Sequence, residues 1–586
     1  MKKIFGIISV FIFLGVSSNS QVLRNDGELN VSAGYLVISG DYRNESAAEL
    51  TIDGILSLSG DFTNNSSTTV ITGSGTDGEV VFAGSTTQTI GGSASQTNFE
   101  KLTINSGATV DLTAGKYVTA QGATDISGTF NLLSASGGTA SLISVGTVSG
   151  SGTTNAERYI TYNTWHNVSS SVTGQSINTF LTTGANDIPT KDGGDTYGSE
   201  FYDEANGVWT YFTTSNAPGA GNFVPGYGYL VRRGTIDGVI TFSGGLNAGA
   251  ISPSVTTSRY GWNSLGNPYS SSIAFNSSAA ATNFIDVNSA EFEDSYAGGY
   301  FWNGTDYTLI NNASVSTYLA PGQGFLVNAT SGSTAFDFTA AMQSHGNPTF
   351  YKKAVVEDFN RLLLYVTNEN DSASTQILFR SDMTRGLDVT YDGGLFGGNK
   401  EFLLYTELID KSSDVQFTIQ CLPSQETDSM IVPIGFDCAE GGIVSFSAEI
   451  TSLPTDYITV FEDRQLDVFT DLNIEGASYE VDLAPGASGF GRFFLHAVAM
   501  EPNAVLPESV NSMSIYTIRK EIIVKGFIDS NSSLSLFDMT GKKLAEYKLE
   551  EGKENRIQLD EGIQSGIYIA KVSGSLIDKT AKLFIK

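Results

Sequence analysis

The sequence predicts an all-β protein of several domains, and three observations carry that expectation. At 586 residues the chain is several times longer than one core requires, so it divides into domains. Gly (64), Phe (35) and Tyr (25) are plentiful, whereas charged residues make up only 16%. Thr, Ser, Val and Ile recur in short alternating runs broken by glycine, the pattern of strands and turns. The expected order is a short N-terminal β-solenoid over 21–155, then duplicated β modules over 156–349 (about 156–253 and 254–349). A β-sandwich over 350–500, a linker over 501–513 and a small C-terminal Ig-like β-sandwich over 514–586 follow.

Residues 1–20 read as a signal peptide. Lys2 and Lys3 precede an apolar run from Ile4 to Val16, and small residues Ser18 and Ser20 set cleavage after Ser20, leaving Gln21 as the new N-terminus. The run is shorter than the ~20 residues of a spanning helix, and no later stretch is long and apolar enough, so no transmembrane segment is expected. A lipid anchor is not expected either, because the first cysteine is Cys421. Twelve Lys+Arg against ten Asp+Glu follow from Asn511 onward and two lysines open the chain, so the formal −30 leaves −34 on residues 21–510. Such a body repels nucleic acid and anionic lipid surfaces.

The solenoid expectation rests on an offset of twenty. LVISGDYRNES (Leu36 to Ser46) is echoed by LSLSGDFTNNS (Leu56 to Ser66), matching Gly40 with Gly60, Asp41 with Asp61, Tyr42 with Phe62 and Asn44 with Asn64. A unit this short cannot bury its own apolar face, so copies must stack, giving about six coils.

A longer repeat follows. RYITYNTWHNVSSSV resembles SRYGWNSLGNPYSSSI, setting Trp165 opposite Trp262; NGVWTYF against GGYFWNGTDY sets Trp209 opposite Trp302; VPGYGYLV against APGQGFLV sets Gly226 opposite Gly322. The offsets are 97, 93 and 96 residues, in one order. Large aromatics at repeated strand positions are expected in core, with sugar stacking as the alternative. Beyond Tyr351, runs such as RLLLYVTN, VQFTIQCLP and IVPIGFDC predict the sandwich. Cys421 and Cys438 are the only cysteines, and their spacing leaves a disulfide and two buried thiols both open.

The last segment reads IYTIRKEIIVKGF, SLSLFDMTGKKLAEYKL, NRIQLDEG, GIYIAKVSG and KTAKLFIK, about seven strands with a glycine turn at Gly541. Alternation places Ala581, Leu583 and Ile585 on one face of the final strand and Lys582, Phe584 and Lys586 on the other. In the hairpin LFDMTGKKL, the GIYIAKV strand and the basic final strand, this region resembles the type A C-terminal sorting domain of type IX secretion cargo. The resemblance implies recognition by the type IX secretion machinery, with Gly541, Gly566, Tyr568, Lys571, Lys579, Lys582 and Lys586 as the signal residues. It implies translocation across the outer membrane and release or attachment to surface lipopolysaccharide. The Pro-Asn-Pro frequent at the start of that domain is replaced by NSMSIYTIRK. The middle of the chain, notably GWNSLGNPYSSSIAF, resembles regions of uncharacterised multi-domain bacterial surface proteins.

No H-E-x-x-H, G-x-S-x-G or P-loop occurs. His166, His345 and His496 are far apart and have no partner at metal-ligand spacing. Acidic stretches FYDEANG, EFEDSY and VFEDRQLD satisfy the formal need of a glycosidase for two carboxyls, without a context that sets them apart from solvated loops. The loop KDGGDTYGSEFYDE, with Asp192, Asp195, Asp203 and Glu204, offers oxygen ligands for calcium but lacks EF-hand spacing. No catalytic or cofactor-binding residue is assigned. The expected function is that of a secreted or cell-surface, non-enzymatic protein in adhesion or extracellular matrix contact. The alternative is a polysaccharide-binding or polysaccharide-degrading protein, and glycans are the partners that either reading implies.

Overall fold

The computed structural model describes residues 21–585 apart from 33, 67–76, 192–193, 305, 347–359, 397–400, 426–429, 455–456, 475, 500–512, 529–531, 551, 561 and 574–577. The expected signal peptide with Ser20, most of the expected linker, Asp192 and Lys586 therefore lie outside the described residues.

The architecture is all-β, and the repeat offset becomes strand register. Strands Val22–Asn25, Asp41–Asn44 and Phe62–Asn64 stack in parallel with Leu23, Tyr42 and Phe62 aligned. Tyr42 and Phe62 are buried with ring centroids 5.1 Å apart. The asparagines repeat for a different reason: a coil that turns inward must satisfy buried amides. Asn25 Nδ2 donates to Asn44 Oδ1 (2.9 Å), and Asn64 Nδ2 donates to Thr97 Oγ1 (3.2 Å), one coil handing its amide to the next. The Asp41 carboxylate accepts the Asp61 N–H (2.9 Å), and the Asp61 carboxylate accepts the Thr89 N–H (2.7 Å). Gly60 is required because a Cβ there would run into Asp41 and the Gly40 backbone.

One solenoid face does not stop where the repeat fades. Its nine-stranded sheet runs in parallel through Thr129–Leu132 to Thr153–Ile160, then adds Gly238–Leu246 antiparallel and Val172–Thr173. The first module is thereby grown onto the solenoid by main-chain hydrogen bonds.

The second module reaches back to another solenoid face. The Leu142 N–H donates to the Ser270 carbonyl (3.0 Å), and His345 sits between Thr119 Oγ1 and Ser141 Oγ, 2.8 Å from each, stacked on Tyr117. Burial pushes His345 down to about 4, so it is neutral near pH 7. Its unfolded value lies near 6.5, so between pH 6.5 and 4 the unfolded chain binds the extra proton and stability falls as pH falls. The full loss is at most about 3 kcal/mol. Urea unfolding at pH 7 and pH 4.5 measures it, and His345→Gln is expected to flatten this part of the pH dependence.

The two modules share a strand order. In the first, His166–Val168 pairs with Tyr229–Val231, which pairs with Thr196–Asp203, the first arm of a hairpin with Val208–Thr213. In the second, Trp262–Gly266 pairs with Gly324–Asn328, which pairs with Gly299–Trp302, the first arm of a hairpin with Tyr307–Ile310. Gly226 (φ 86°) and Gly322 (φ 64°) both take the left-handed conformation. One expected match is corrected. Trp209 lies on the second hairpin arm and Trp302 on the first, and the cross-strand pairs are Tyr202↔Trp209 and Trp302↔Tyr307. Trp302 thus corresponds to Tyr202, and Trp209 to Tyr307.

The sandwich region is a single eleven-stranded sheet that curls over its own core. Phe446 on Gly442–Ser452, near one end of the strand order, packs at 4.8 Å on Phe461 of Tyr457–Asp463, near the other. Leu364, Phe446, Phe461, Tyr479 and Phe493 are all buried in this core. Cys421 and Cys438 are free thiols, both buried. They belong to Phe417–Pro423 and Met430–Cys438, with Phe402–Thr406 between in the sheet, and two strand spacings of ~4.8 Å each exceed the reach of a disulfide.

The C-terminal part has two sheets, one of three strands from Ser514–Ile518 and one of four ending in Asp578–Ile585. It docks on the curled sheet through Tyr516 on Tyr479 (5.3 Å), the Arg556–Glu480 ion pair and the Arg519–Asp482 ion pair.

Candidate sorting face and binding cleft

The final strand lies at a sheet edge and, among the described residues, pairs only with Gly566–Ser573. Leu583 and Ile585 point inward with Ala570 and Val572, all buried. On the solvent side Ile567 (39% exposed) sits opposite Phe584 (48%), Ile569 opposite Lys582, and Lys571 opposite Thr580. The Lys582 ammonium lies 5.3 Å from the Phe584 ring. Lys571 and Lys582 therefore share a face, whereas Lys579 pairs with buried Val572 and belongs to the other side. Gly541 (φ 85°) closes a turn in which the Asp538 carboxylate accepts the Thr540 N–H (2.9 Å) and Lys542 N–H (3.0 Å). The Tyr568 hydroxyl donates to the Gln564 carbonyl (2.7 Å), and Gly566 begins its strand beside that ring. Thr517 Oγ1 donates to the Phe584 carbonyl (2.7 Å), tying the edge strand to the other sheet.

In the loop offered for calcium, Glu204 is engaged by backbone donors. Glu204 is 5% exposed and accepts the backbone N–H groups of Ser258 (2.9 Å), Arg259 (2.7 Å), Tyr260 (3.0 Å) and Gly261 (3.1 Å), with the Thr256 hydroxyl at 3.1 Å. Burial raises its carboxyl, but these donors outweigh burial and hold it below the ordinary range. Asp203 accepts the Asn206 amide (2.7 Å). In EFEDSY the Glu293 carboxylate caps a short turn at the Ser295 N–H (3.0 Å). In VFEDRQLD, Glu462 holds Arg464 (2.9 Å) and His496 (2.7 Å), and Asp463 holds Arg492 (2.7 Å) and the Tyr479 hydroxyl (2.7 Å). No group of three or more acidic, histidine or cysteine side chains arranged for a metal occurs among the described residues.

Trp209, Trp262 and Trp302 lie along a seam. Trp262 packs edge-on against Tyr296, Tyr300 and Phe396 (5.6, 4.9 and 4.8 Å), Phe396 against Tyr307 (4.8 Å), and Tyr307 against Trp302 (5.3 Å). The Trp209 indole N–H donates to the Tyr307 hydroxyl, whose pKa is pushed up to about 12 by burial and by the nearby Tyr202, Glu200 and Asp306. Trp165 stands apart, against Tyr211 (6.1 Å) and under the Arg232 guanidinium (5.7 Å).

Where this seam meets the curled sheet it opens into a cleft of about 820 Å³, lined by Tyr307, Phe396, Phe402, Asn303, Asn368 and Gln376 among others. Asp306, Asp371, Glu401 and Glu440 add four carboxylates, and no Lys, Arg or His is among the described lining residues. The Cys438 thiol, at the base, is raised by burial and then by Asp371 and Glu440. The wall is tied to the curled sheet: the Tyr300 hydroxyl donates to the Gly394 carbonyl (2.8 Å), and Asn311 Nδ2 donates to the Tyr391 carbonyl (2.7 Å). Sequence reasoning missed this site because its lining comes from separate stretches spread from Tyr300 to Glu440.

Comparison with known proteins adds a family. Residues 63–495 match the family described as a domain of unknown function, DUF8693. The chain belongs to this family. The DUF8693 region takes in later solenoid coils, both modules and nearly all of the curled sheet, including the whole cleft. Residues 514–586 match the secretion system C-terminal sorting domain. The protein is thus type IX secretion cargo, carried to the outer cell surface or the medium, and no helix among the described residues is long and apolar enough to cross a membrane. No curated protein matches the chain. Among solved structures, a polysaccharide lyase aligns at 8% identity over 39% of this chain and 40% of its own, with a TM-score of 0.15. The BSP domain of a biofilm associated protein aligns at 7% identity over 74% of this chain and 92% of its own, with a TM-score of 0.16. Scores this low establish no shared fold for the DUF8693 region.

Proposed function

We propose that the protein is a non-enzymatic contact protein, displayed on or released from the outer cell surface, that adheres to extracellular matrix through its acidic body. The observation that carries this reading is the fate of the acidic stretches: Glu204, Glu293, Glu462 and Asp463 are bound by backbone donors, arginines and a tyrosine, and are spent on architecture. The second reading, polysaccharide binding, is favoured by the rings and amides of the cleft. Degradation of uronic-acid polymers is disfavoured, because a cleft with four carboxylates and no described cation repels that substrate.

Cells lacking the protein are expected to lose adhesion to matrix, and the purified protein is expected to leave neutral and acidic glycans at full length. Depolymerisation that disappears on combining Asp371→Asn with Glu440→Gln would establish an enzyme instead. Removal of residues 514–586 is expected to abolish surface display, with at least a tenfold fall in protease-accessible protein on intact cells.

A further inference from the structure

We infer that the cleft between the second module and the curled sheet binds a glycan bearing protonated amines, that is, an amino-sugar polymer with free amino groups. The inference deepens the contact-protein reading and rests on it. Three features of the cleft converge.

The first is size and shape. At about 820 Å³ the cleft falls within the roughly 300–1,000 Å³ typical of small-ligand sites, enough for a short run of sugar units. Asn311 and Tyr300 hold its two walls together, so the volume is built into the fold. The second is the lining. Tyr307, Phe396 and Phe402 are half-buried rings, and a ring face accepts both the C–H face of a pyranose and a cation. The amides of Asn303, Asn368 and Gln376 supply paired donors and acceptors for hydroxyls. The strand between, Asp371-Ser-Ala-Ser-Thr375, is small and polar, and offers no row of apolar pockets such as an extended peptide uses for its alternate side chains.

The third feature is charge. Asp371, Glu401 and Glu440 are exposed and have no ion-pair partner among the described residues. Carboxylates brought together in this way raise the local concentration of cations and repel anionic sugars. A neutral glycan would use the rings and amides but leave three carboxylates without a counter-charge. A glycan with ammonium groups engages all three sets at once through charge-assisted hydrogen bonds.

The test is calorimetric titration of the mature full-length protein with four probes: a glucosamine hexamer, the N-acetylglucosamine hexamer, an oligogalacturonate and a lysine hexapeptide. The glucosamine hexamer is expected to bind at least tenfold more tightly than its acetylated counterpart, more weakly as salt rises, and the oligogalacturonate is expected not to bind. Combining Asp371→Asn with Glu440→Gln is expected to weaken glucosamine binding at least tenfold with an unchanged melting temperature, since both residues are exposed. Equal binding of the two hexamers, tighter binding of the peptide, or indifference to the double substitution would each overturn the inference. If matrix adhesion persists while no amino-sugar binding is found, the inference falls and the contact-protein reading stands; if both are lost in the double variant, both stand.

Discussion

Replacing Glu204 with alanine is expected to destabilise the paired modules by about 3–5 kcal/mol, among the largest effects of any single change in the chain. The carboxylate is the one acceptor for four consecutive backbone N–H groups, Ser258 to Gly261, that open the second module. With alanine those donors lose their acceptor, and an unsatisfied buried donor, as Gly261 N–H would be, costs about 1–3 kcal/mol. Glu204→Gln keeps the shape and an acceptor oxygen but loses the charge, and is expected to cost about 1–2 kcal/mol. Because the folded carboxyl sits below its ordinary value of 4.5, the stability it contributes is present above that pH and is lost as pH falls through the folded value. This window lies below that of His345, so unfolding followed from pH 7 downward should show two losses, the upper removed by His345→Gln and the lower by Glu204→Gln. A single loss, unaffected by either substitution, would contradict this assignment.

The parts of the fold that were legible in the sequence are those in which a local pattern has a local cause. The twenty-residue offset was readable because each coil stacks on the next, so Asp41 and Asp61 do the same work one layer apart. The inward and outward residues of the final strand were readable because a strand alternates strictly, and Leu583 and Ile585 are buried while Lys582 and Phe584 are exposed. Trp209 and Trp302 misled because a hairpin places residues from both arms side by side: Tyr202 and Trp209 exchange aromatic sizes with Trp302 and Tyr307, and a search by residue type matches the wrong arms. The backbone-capping role of Glu204 was not legible, because its donors arrive from residues more than fifty positions on. The cleft was invisible for the same reason, being made where the second module meets strands from the curled sheet. Long-range contacts of this kind leave no periodic signature in sequence.

Asp463 carries the other large expected effect. Its side chain is fully buried and is held by Arg492, the Tyr479 hydroxyl and the N–H groups of Gln465 (3.0 Å) and Leu466 (3.2 Å). Removing one member of a buried pair strands the other, so Asp463→Ala is expected to cost about 3–5 kcal/mol. Combining Asp463→Leu with Arg492→Met removes both charges and should cost clearly less, because a buried ion pair gains little over a well-packed apolar pair. Additive losses in that cycle would mean that Arg492 is solvated well enough not to need its partner. The pair also bears on the address of the protein. Tyr479, which donates to Asp463, packs against Tyr516 of the sorting domain, and Tyr516 and Ile518 share the core of the curled sheet. Loss of Asp463 is therefore expected to raise hydrogen exchange at the amides of Ser514–Ile518, while the paired substitution leaves them protected. The acidic body and its sorting domain would then be energetically coupled at an interface that includes the Tyr479–Tyr516 contact, and a substitution more than fifty residues upstream of Ser514 would weaken the docking of the domain that carries the protein out of the cell.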